Sequence, residues 1–348
     1  MVTPNPSIER TSQRLRLCAA AHVERWAAGM GRMPRGRDSM RLRSSIFRRR
    51  CWIRRSLAAA LAMLVFVFVT AADRAFAGPA TPFDKGVLWR ISKGGTPDSY
   101  AFGTIHIADP RVGISRPVAD ALDRSRTLAL ELIERAANKQ ILELEQLPDG
   151  HRLKELIGED LYSQVRSTLA AQDIPFDVIE RLKPWAAMMK VARAPARIAE
   201  PSLDQKLVAV ARARGLKIMP LESLDEQVGA FDALPIDTQV ALLKHALADR
   251  SALEAGVEIT LQAWLRGDLA GLAQLNAGSS DRFTEMGRHH KILKTHIIHD
   301  RNVQMHYRLF MPLRSGRVFI AVGALHLYGR KGLLSLIAQD GYRITRFP

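Results

Sequence analysis

The architecture of this chain rests on the stretch Val318-Phe-Ile-Ala-Val-Gly-Ala-Leu-His326, an apolar β-type run that ends in Gly-x-x-His. A second run with the same ending lies near the other end of the chain, as Ser99-Tyr-Ala-Phe-Gly-Thr-Ile-His106. The two histidines are 220 positions apart, so only the fold can bring them together. We interpret them as two strand ends that meet at one edge of a sheet, where α/β folds place their ligands. The alternative is a pair of hydrogen-bonded core histidines.

The first 77 residues differ in composition from the rest, with 15 arginines, no lysine and four acidic residues. A basic stretch is followed by an apolar run over residues 57–72 and then by Ala75-Phe-Ala77. This order is typical of a secretory signal peptide, so we expect residues 51–77 to be a cleaved leader and the protein to be periplasmic or secreted. An uncleaved leader would instead anchor the protein in the inner membrane, although the apolar run is shorter than the roughly 20 residues that span a bilayer.

Residues 1–50 are longer and more basic than a leader requires. We expect this segment to be disordered or to lie upstream of the true start, for which Met30, Met33 and Met40 are candidates. A basic arm that binds nucleic acid is the competing interpretation. The segment precedes an export signal and has no recognisable nucleic-acid-binding motif, so we predict no nucleic-acid partner.

Removal of the leader changes the charge and the cysteine content of the chain. The whole sequence has a net charge of +16, of which residues 1–77 contribute +11, leaving +5 on residues 78–348. Both cysteines, Cys18 and Cys51, precede residue 78. The mature part, which we expect to be one domain over 78–348, would have no disulfide and no thiolate ligand. Histidines and carboxylates would have to bind any metal.

Predicted strands cluster towards the two ends of the mature chain, and helical patterns fill the middle. The strands are predicted over residues 87–92, 100–105, 127–133, 216–221, 317–322 and 342–347. Helices are predicted over 117–125, 139–199 with breaks at prolines, 203–214, 223–275 with breaks near Pro235 and Gly267, 291–309 and 331–339. This order predicts an α/β (α+β) fold whose mixed central sheet is built from N- and C-terminal strands and carries a large helical insert. The two Gly-x-x-His segments suggest a two-fold internal duplication.

Two carboxylates occupy unusual positions at strand ends. Glu131 interrupts the apolar run 128–133, and Glu222 directly follows the strand predicted over 216–221. A buried carboxylate needs a cation or a metal to offset its desolvation. The alternatives are that Glu131 faces solvent and that Glu222 begins an ordinary helix.

The helix predicted over 291–309 carries Arg301-Asn302 among several histidines. His296 and His299 are three positions apart and share a helix face, as metal ligands can, but the glutamate of an H-E-x-x-H zinc helix is missing. We therefore interpret these two histidines as surface or pH-responsive groups. An arginine such as Arg301 can clamp a carboxylate or a substrate oxygen.

Taken together, these segments resemble the TraB/GumN family, which includes the Tiki metalloproteases. The resemblance covers roughly residues 83–347. Its segments, in chain order, are Tyr100–His106, Pro220–Gln227, Arg301-Asn302, Val322–Leu334 and Leu336–Arg346. The polar pair His299-Asp300 before Arg301 departs from what we expect of the family.

The resemblance implies a metal-dependent peptidase that acts on a peptide or protein. His106, His326 and Glu131 would bind a divalent ion, with Mn or Co favoured over Zn. Glu131 or Glu222 would be the general base, Arg301 would stabilise the oxyanion, and Asn302 would orient substrate or water. The alternatives are a non-catalytic binding or sequestering protein of the periplasm and a factor associated with envelope polysaccharide.

Overall fold

The computed structural model describes residues 83–107, 109–133, 138–193, 201–276 and 284–348. The segments predicted as a basic region (1–50) and a leader (51–77), with both cysteines, lie outside these residues. Within the described residues, no helix is long and apolar enough to cross a membrane.

Six strands form one mixed sheet in the order β4-β3-β5-β2-β1-β6. Their bounds are β1 Leu88–Lys93, β2 Thr96–Thr104, β3 Thr127–Leu130, β4 Lys217–Pro220, β5 Val318–Gly323 and β6 Arg343–Arg346. The four strands β4, β3, β5 and β2 are parallel, whereas β1 is antiparallel to both of its neighbours. The carboxyl ends of four adjacent strands therefore lie along one edge of the sheet.

Helices fill the connections between the strands, and the predicted fold class is confirmed. Before β4 they are α1 Arg116–Asp123, α2 Asn138–Leu144, α3 Leu153–Ile157, α4 Glu159–Ala170, α5 Phe176–Ile179, α6 Pro184–Val191 and α7 Leu203–Ala213. After β4 they are α8 Leu224–Asp232, α9 Ile236–Ala248, α10 Arg250–Leu265, α11 Leu269–Leu275, α12 Glu285–Lys294, a π-helix Thr295–Asp300, α13 Arg301–Ser315, α14 Ala324–Leu327 and α15 Leu333–Gln339.

The strand β5 lies between β3 and β2 because its side chains suit burial on both faces. Every residue from Val318 to Val322 is buried, as is typical of a parallel strand covered by helices. The outermost strand β4 ends at Pro220, which supports the prediction that this proline marks an edge, since proline cannot donate a ladder hydrogen bond. The strand predicted over 127–133 ends three residues early, at Leu130, so Glu131 lies just beyond it.

Two separate hydrophobic clusters support the fold. The first contains the sheet and the helices packed on it, including Leu130 of β3 and Leu327 of α14. The second is built from helices of the insert and includes Ile297 of the π-helix, with Leu132 packed against it. Because Leu130 and Leu132 belong to different clusters, Glu131 lies where the two clusters meet.

Candidate active site at the sheet edge

Four candidate side chains follow the four parallel strands and stand in a row along one sheet edge. In the order of the strands, they are Glu222 after β4, Glu131 after β3, His326 after β5 and His106 after β2. The register aligns them, with Leu130 opposite Pro220 and Thr104 opposite Gly323. The fold therefore brings together residues from distant parts of the sequence, as the two Gly-x-x-His segments predicted.

The glycines of both motifs provide space rather than an unusual backbone angle. The backbone of Gly323 has a φ of −52°, and its N–H donates to Glu131 Oε1 at 2.5 Å. A Cβ at Gly323 would lie 3.3 Å from that same oxygen. At Gly103, a Cβ would lie 2.9 Å from the Cα of Ala324, the first residue of α14. Gly103 therefore allows the helix that carries His326 to pack directly on β2.

Arg301 joins the two carboxylates of the row. Its Nη2 donates to Glu131 Oε2 at 2.8 Å, and its Nε donates to Glu222 Oε2 at 2.9 Å. Nη2 also donates to Glu222 Oε1, and Nη1 donates to the carbonyl of Ile297 at 3.1 Å. The side chains of Arg301 and Glu222 are 3% and 1% exposed, whereas Glu131 retains 15%. All three guanidinium nitrogens are therefore used within the protein.

A π-helix immediately precedes Arg301, in place of the continuous helix predicted over 291–309. Its six residues, Thr295–Asp300, include Ile297, whose carbonyl accepts the hydrogen bond from Arg301. The wider turn of a π-helix leaves carbonyls that side chains can use, and such segments are frequent at functional sites. No residue type in this stretch distinguishes a π turn from an α turn, so the pattern could not have predicted it.

Asn302 fixes the orientation and the tautomer of His326. Its amide nitrogen donates to the carbonyls of His326 and Lys331 at 3.2 and 2.8 Å, which turns Oδ1 towards His326 Nδ1 at 2.7 Å. An amide oxygen can only accept, so this assignment puts the imidazole proton on Nδ1. The lone pair of Nε2, 3.8 Å from Glu131 Oε1, remains for a ligand. Asn302 is fully buried.

The protonation states follow from burial and from the neighbouring charges. Burial lowers the pKa of His326 to about 4, even though the Glu131 carboxylate opposes this, so the imidazole is neutral at pH 7. Burial by itself raises the pKa of Glu131, but the cationic forms of His326, Arg301 and His106 outweigh it and lower the pKa to about 2. At neutral pH, where His326 carries no charge, Arg301 is the cation that keeps Glu131 ionised.

Glu222 differs from Glu131 in its surroundings. Burial raises its pKa, an effect that the hydrogen bonds from Arg301 partly offset. Gln227 of α8 also donates to Glu222 Oε1 at 3.0 Å. Enclosed on these sides, Glu222 anchors the arginine and is not in a position to contact a substrate.

His106 has a carboxylate neighbour that the sequence analysis missed. Its Nδ1 lies 3.2 Å from Oδ2 of Asp204, in the first turn of α7, without the alignment of a strong hydrogen bond. The hydroxyl of Thr104 donates to the other oxygen of Asp204 at 3.2 Å. Histidines that bind metals commonly present their second nitrogen to such a carboxylate. The signal in the sequence was weak, because an acid in a first helical turn is ordinary.

Three other histidines of the 285–309 region have partners outside the row. His296 lies 3.6 Å from Asp300, His306 pairs with Asp340 at 2.8 Å, and His289 is 2.9 Å from the hydroxyl of Thr238. The surface or pH-responsive role predicted for His296 and His299 stays a prediction. His299 is half-buried, and its pKa is lowered first by burial and then by the charges of Lys294 and Lys331.

The donor set fits a divalent ion through two of its side chains. Among the described residues, no three histidine or acidic side chains lie close enough to form a complete ligand cluster. His326 and Glu131 fit as a pair, since 3.8 Å between Nε2 and Oε1 is within the span of two ligands on one ion, about 4 Å for bonds near 2.1 Å. His106 lies near enough for its charge to lower the pKa of Glu131.

Comparison with known proteins adds evidence independent of this geometry. Metalloprotease TIKI2 of Danio rerio is 25% identical over 315 aligned residues, which cover 75% of this chain and 61% of that protein. Metalloprotease TIKI2 of Xenopus tropicalis is 23% identical over 75% of this chain and 60% of its own length. A metalloprotease TIKI homolog of Nematostella vectensis is 23% identical, with coverages of 74% and 66%.

The chain thus spans about three-fifths of the length of the first two relatives. No solved structure matches it. The model of the TraB/PrgY/gumN family matches residues 87–346, a range that contains the whole sheet and every candidate residue at its edge. The family resemblance predicted from the sequence is confirmed, and this chain belongs to the TraB/PrgY/gumN family.

Proposed function

We propose that this protein is a metal-dependent peptidase whose site is the row of side chains at the carboxyl edge of the parallel strands. The observation that carries the proposal is the arrangement of His326. Asn302 holds its proton on Nδ1, which leaves Nε2 to face the ionised Glu131 across 3.8 Å. The TIKI relatives are named as metalloproteases, which supports the same class of reaction.

His326 and Glu131 would hold the ion as a pair. His106 would complete a set of two imidazoles and one carboxylate, which suits Mn or Co with open positions, by moving closer to them than it lies in this structure. The ion would polarise the scissile carbonyl and lower the pKa of a bound water. Glu131, with its exposed edge, is the carboxylate that can reach the ion, whereas the enclosed Glu222 is not in a position to take the proton from the attacking water as general base.

Arg301 and Asn302 take different roles here from those expected from the sequence. All three guanidinium nitrogens of Arg301 are engaged, so we assign it to holding Glu131 ionised and in place, rather than to binding an oxyanion. Asn302 is buried against His326 and acts through that histidine. Both are positioning residues in this proposal.

The site would act on a peptide or protein outside the cytoplasm, because we also propose that residues 51–77 direct export. N-terminal sequencing of the protein from cells tests this part separately. A mature terminus at Gly78 supports export with cleavage, whereas retention of the leader indicates the inner-membrane anchor.

The test of the site is metal content followed by peptide cleavage. The purified protein is stripped with a chelator, reloaded with Mn²⁺, Co²⁺ or Zn²⁺, and incubated with a peptide library. We expect His326→Ala to lose bound metal and cleavage together, and the exposed His151→Ala to lose neither. Unchanged metal content in folded His326→Ala would overturn the metal assignment. Normal metal binding without cleavage by the wild-type protein would indicate the non-catalytic binder.

A further inference from the structure

Helix α13 carries a stripe of exposed apolar side chains, which we call the α13 stripe. It consists of Val303, Tyr307, Phe310 and Met311, which are 61%, 83%, 44% and 66% exposed. Their spacing of four, three and one residues places them on one helix face. The opposite face is buried in the cluster around the sheet through Met305, Leu309 and Leu313. The helix is therefore apolar on two sides, only one of which the described part of the chain covers.

The stripe is concentrated and large. Among the described residues, it contains four of the nine large apolar side chains that are exposed, although α13 is one helix of many. With about 150–250 Å² for a whole aromatic side chain, these exposed fractions amount to roughly 400 Å² of apolar surface. Contiguous exposed patches of this size on soluble proteins commonly mark interaction sites.

The charges at the two ends of the stripe indicate what covers it. Asp300 lies seven positions before Tyr307 and Arg314 seven positions after it, while Val303 and Met311 lie four positions to either side. A two-fold axis through Tyr307 would place Asp300 of each copy opposite Arg314 of the other, and Val303 opposite Met311. A parallel pairing would place like charges together, which is unfavourable.

Among the described residues, the contacts of these end residues are weak ones. Asp300 lies 3.6 Å from His296 Nδ1, and the Arg314 guanidinium lies 5.7 Å from the Phe310 ring. In contrast, Arg308 on the flank of the helix already pairs with Glu226 at 2.6 Å. Of the three charged residues compared, Asp300 and Arg314 thus have capacity for a new ion pair, and the two-fold axis brings these two together.

We propose that the α13 stripe is a dimer interface that packs antiparallel on the stripe of a second copy of this chain. A standard interface buries about 800 Å² on each partner, and the stripe supplies roughly half of that area. Polar residues around the stripe would have to supply the remainder, so we expect a small interface and a reversible dimer.

Sedimentation velocity of the full chain over a series of concentrations tests the proposal. We expect a reversible dimer whose dissociation constant rises about tenfold or more in Asp300→Arg and in Arg314→Asp, because each change opposes like charges. The double variant exchanges the two charges and restores the dimer. Tyr307→Lys abolishes it, whereas Ile236→Lys, which alters a half-exposed apolar residue of α9, has no effect. Circular dichroism spectra confirm that each variant is folded.

Two outcomes overturn the proposal. One is a wild-type protein that stays monomeric at every concentration, including the case in which Tyr307 instead governs its binding to lipid vesicles. The other is a dimer that persists in Tyr307→Lys and in both single charge variants, which would place the interface elsewhere.

Discussion

Arg301 and Arg308 lie two turns apart on α13, and each holds a glutamate with two nitrogens, but only Arg301 does so away from water. Arg301 and Glu222 are 3% and 1% exposed, against 38% and 33% for Arg308 and Glu226. An exposed pair contributes about 0–1 kcal/mol to the free energy of unfolding. Breaking a buried pair costs about 3–5 kcal/mol, because the remaining charge stays buried without its partner.

We therefore predict that Arg301→Gln lowers the free energy of unfolding by about 3 kcal/mol or more, and Arg308→Gln by about 1 kcal/mol or less. Urea unfolding of the two variants at pH 7 provides the measurement, with Arg308→Gln as the matched control. Equal losses would mean that burial does not distinguish the two pairs. A double variant, Arg301→Gln with Glu222→Gln, should recover part of the loss.

A second prediction concerns Asp204, which lies beside His106 at the other end of the row of side chains. Asp204→Asn keeps the shape of the side chain but removes the charge beside His106 Nδ1, so the imidazole loses the group that orients it. We expect affinity for Mn²⁺ or Co²⁺ to fall about 10–100-fold, as for other outer-shell partners of ligating histidines. Isothermal titration calorimetry measures this fall.

Asp225→Asn is the matched control, because Asp225 also lies in a first helical turn, on α8. Both variants weaken the interaction with the helix dipole by about 0.3–1 kcal/mol, but only Asp204→Asn should change metal affinity. Equal affinities for the two variants would contradict the positioning role.

The sequence predicted which residues belong to the site, but it could not predict roles that depend on contacts between residues far apart in sequence. The candidate residues were found because Gly-x-x-His endings and acids at strand ends are local patterns. The role of Asn302 depends on a partner 24 positions away, and that of Asp204 on one 98 positions away. No local pattern contains such contacts. For the same reason, the sequence predicted an oxyanion role for Arg301, whereas its hydrogen bonds in the structure assign it to holding Glu131.

At the scale of elements, the position of α14 depends on the absence of a side chain at Gly103. A Cβ there would lie 2.9 Å from backbone Cα and 3.0 Å from Cβ of Ala324, neither of which is the end of a flexible side chain. The helix would have to move away from β2, and His326 would move with it. The carbonyl of Gly103 also accepts a hydrogen bond from Trp264 Nε1 at 2.8 Å.

We predict that Gly103→Ala lowers the free energy of unfolding by about 1–3 kcal/mol, the usual cost of overpacking, and also weakens metal binding. Gly94→Ala, in the turn between β1 and β2, serves as the control, since a Cβ there meets nothing within 4 Å. Thermal unfolding and metal titration of both variants provide the measurements. A Gly103→Ala protein with wild-type stability would show that α14 is free to shift.

The element boundaries show where local sequence patterns stop being informative. Glycine and proline marked most ends correctly, because their backbone limits are intrinsic, as at Gly215 after α7 and Pro220 in β4. The π-helix before Arg301 was missed, since no residue type in it distinguishes a π turn from an α turn and its packing, for example that of Ile297 in the second hydrophobic cluster, involves residues distant in sequence.

For the whole molecule, strand order was less predictable than strand position. The strongly apolar sequence of β5 predicts a strand inside the sheet, but no local sequence pattern predicts that β3 and β2 are its neighbours. Sheet order depends on how helices cover each face of the sheet, whereas the second hydrophobic cluster lies within the helical insert. A buried polar group of α12, His290, contributes to how the molecule responds to acid.

His290 is 6% exposed, and burial lowers its pKa to about 4, with a smaller contribution from the neighbouring His245 and His289. Burial lowers the pKa of His326 to about 4 as well. An unfolded histidine has a pKa near 6.5, so between about pH 6.5 and 4 the unfolded chain binds protons that the folded chain does not. The free energy of unfolding is therefore highest above about pH 6.5, where these histidines are neutral in both states, and it falls progressively as the pH drops towards 4.

From this difference we expect each of the two histidines to reduce the free energy of unfolding by about 2 kcal/mol between pH 7 and pH 5. Glu131, with a pKa of about 2 against an ordinary value near 4.5, extends the loss to lower pH. Urea unfolding of the metal-free protein at pH 7 and pH 5 measures the effect. His290→Gln should remove about 2 kcal/mol of it, whereas His151→Gln at an exposed position should leave it unchanged. A His290→Gln protein with the full wild-type dependence on pH would show that acid acts elsewhere in the molecule.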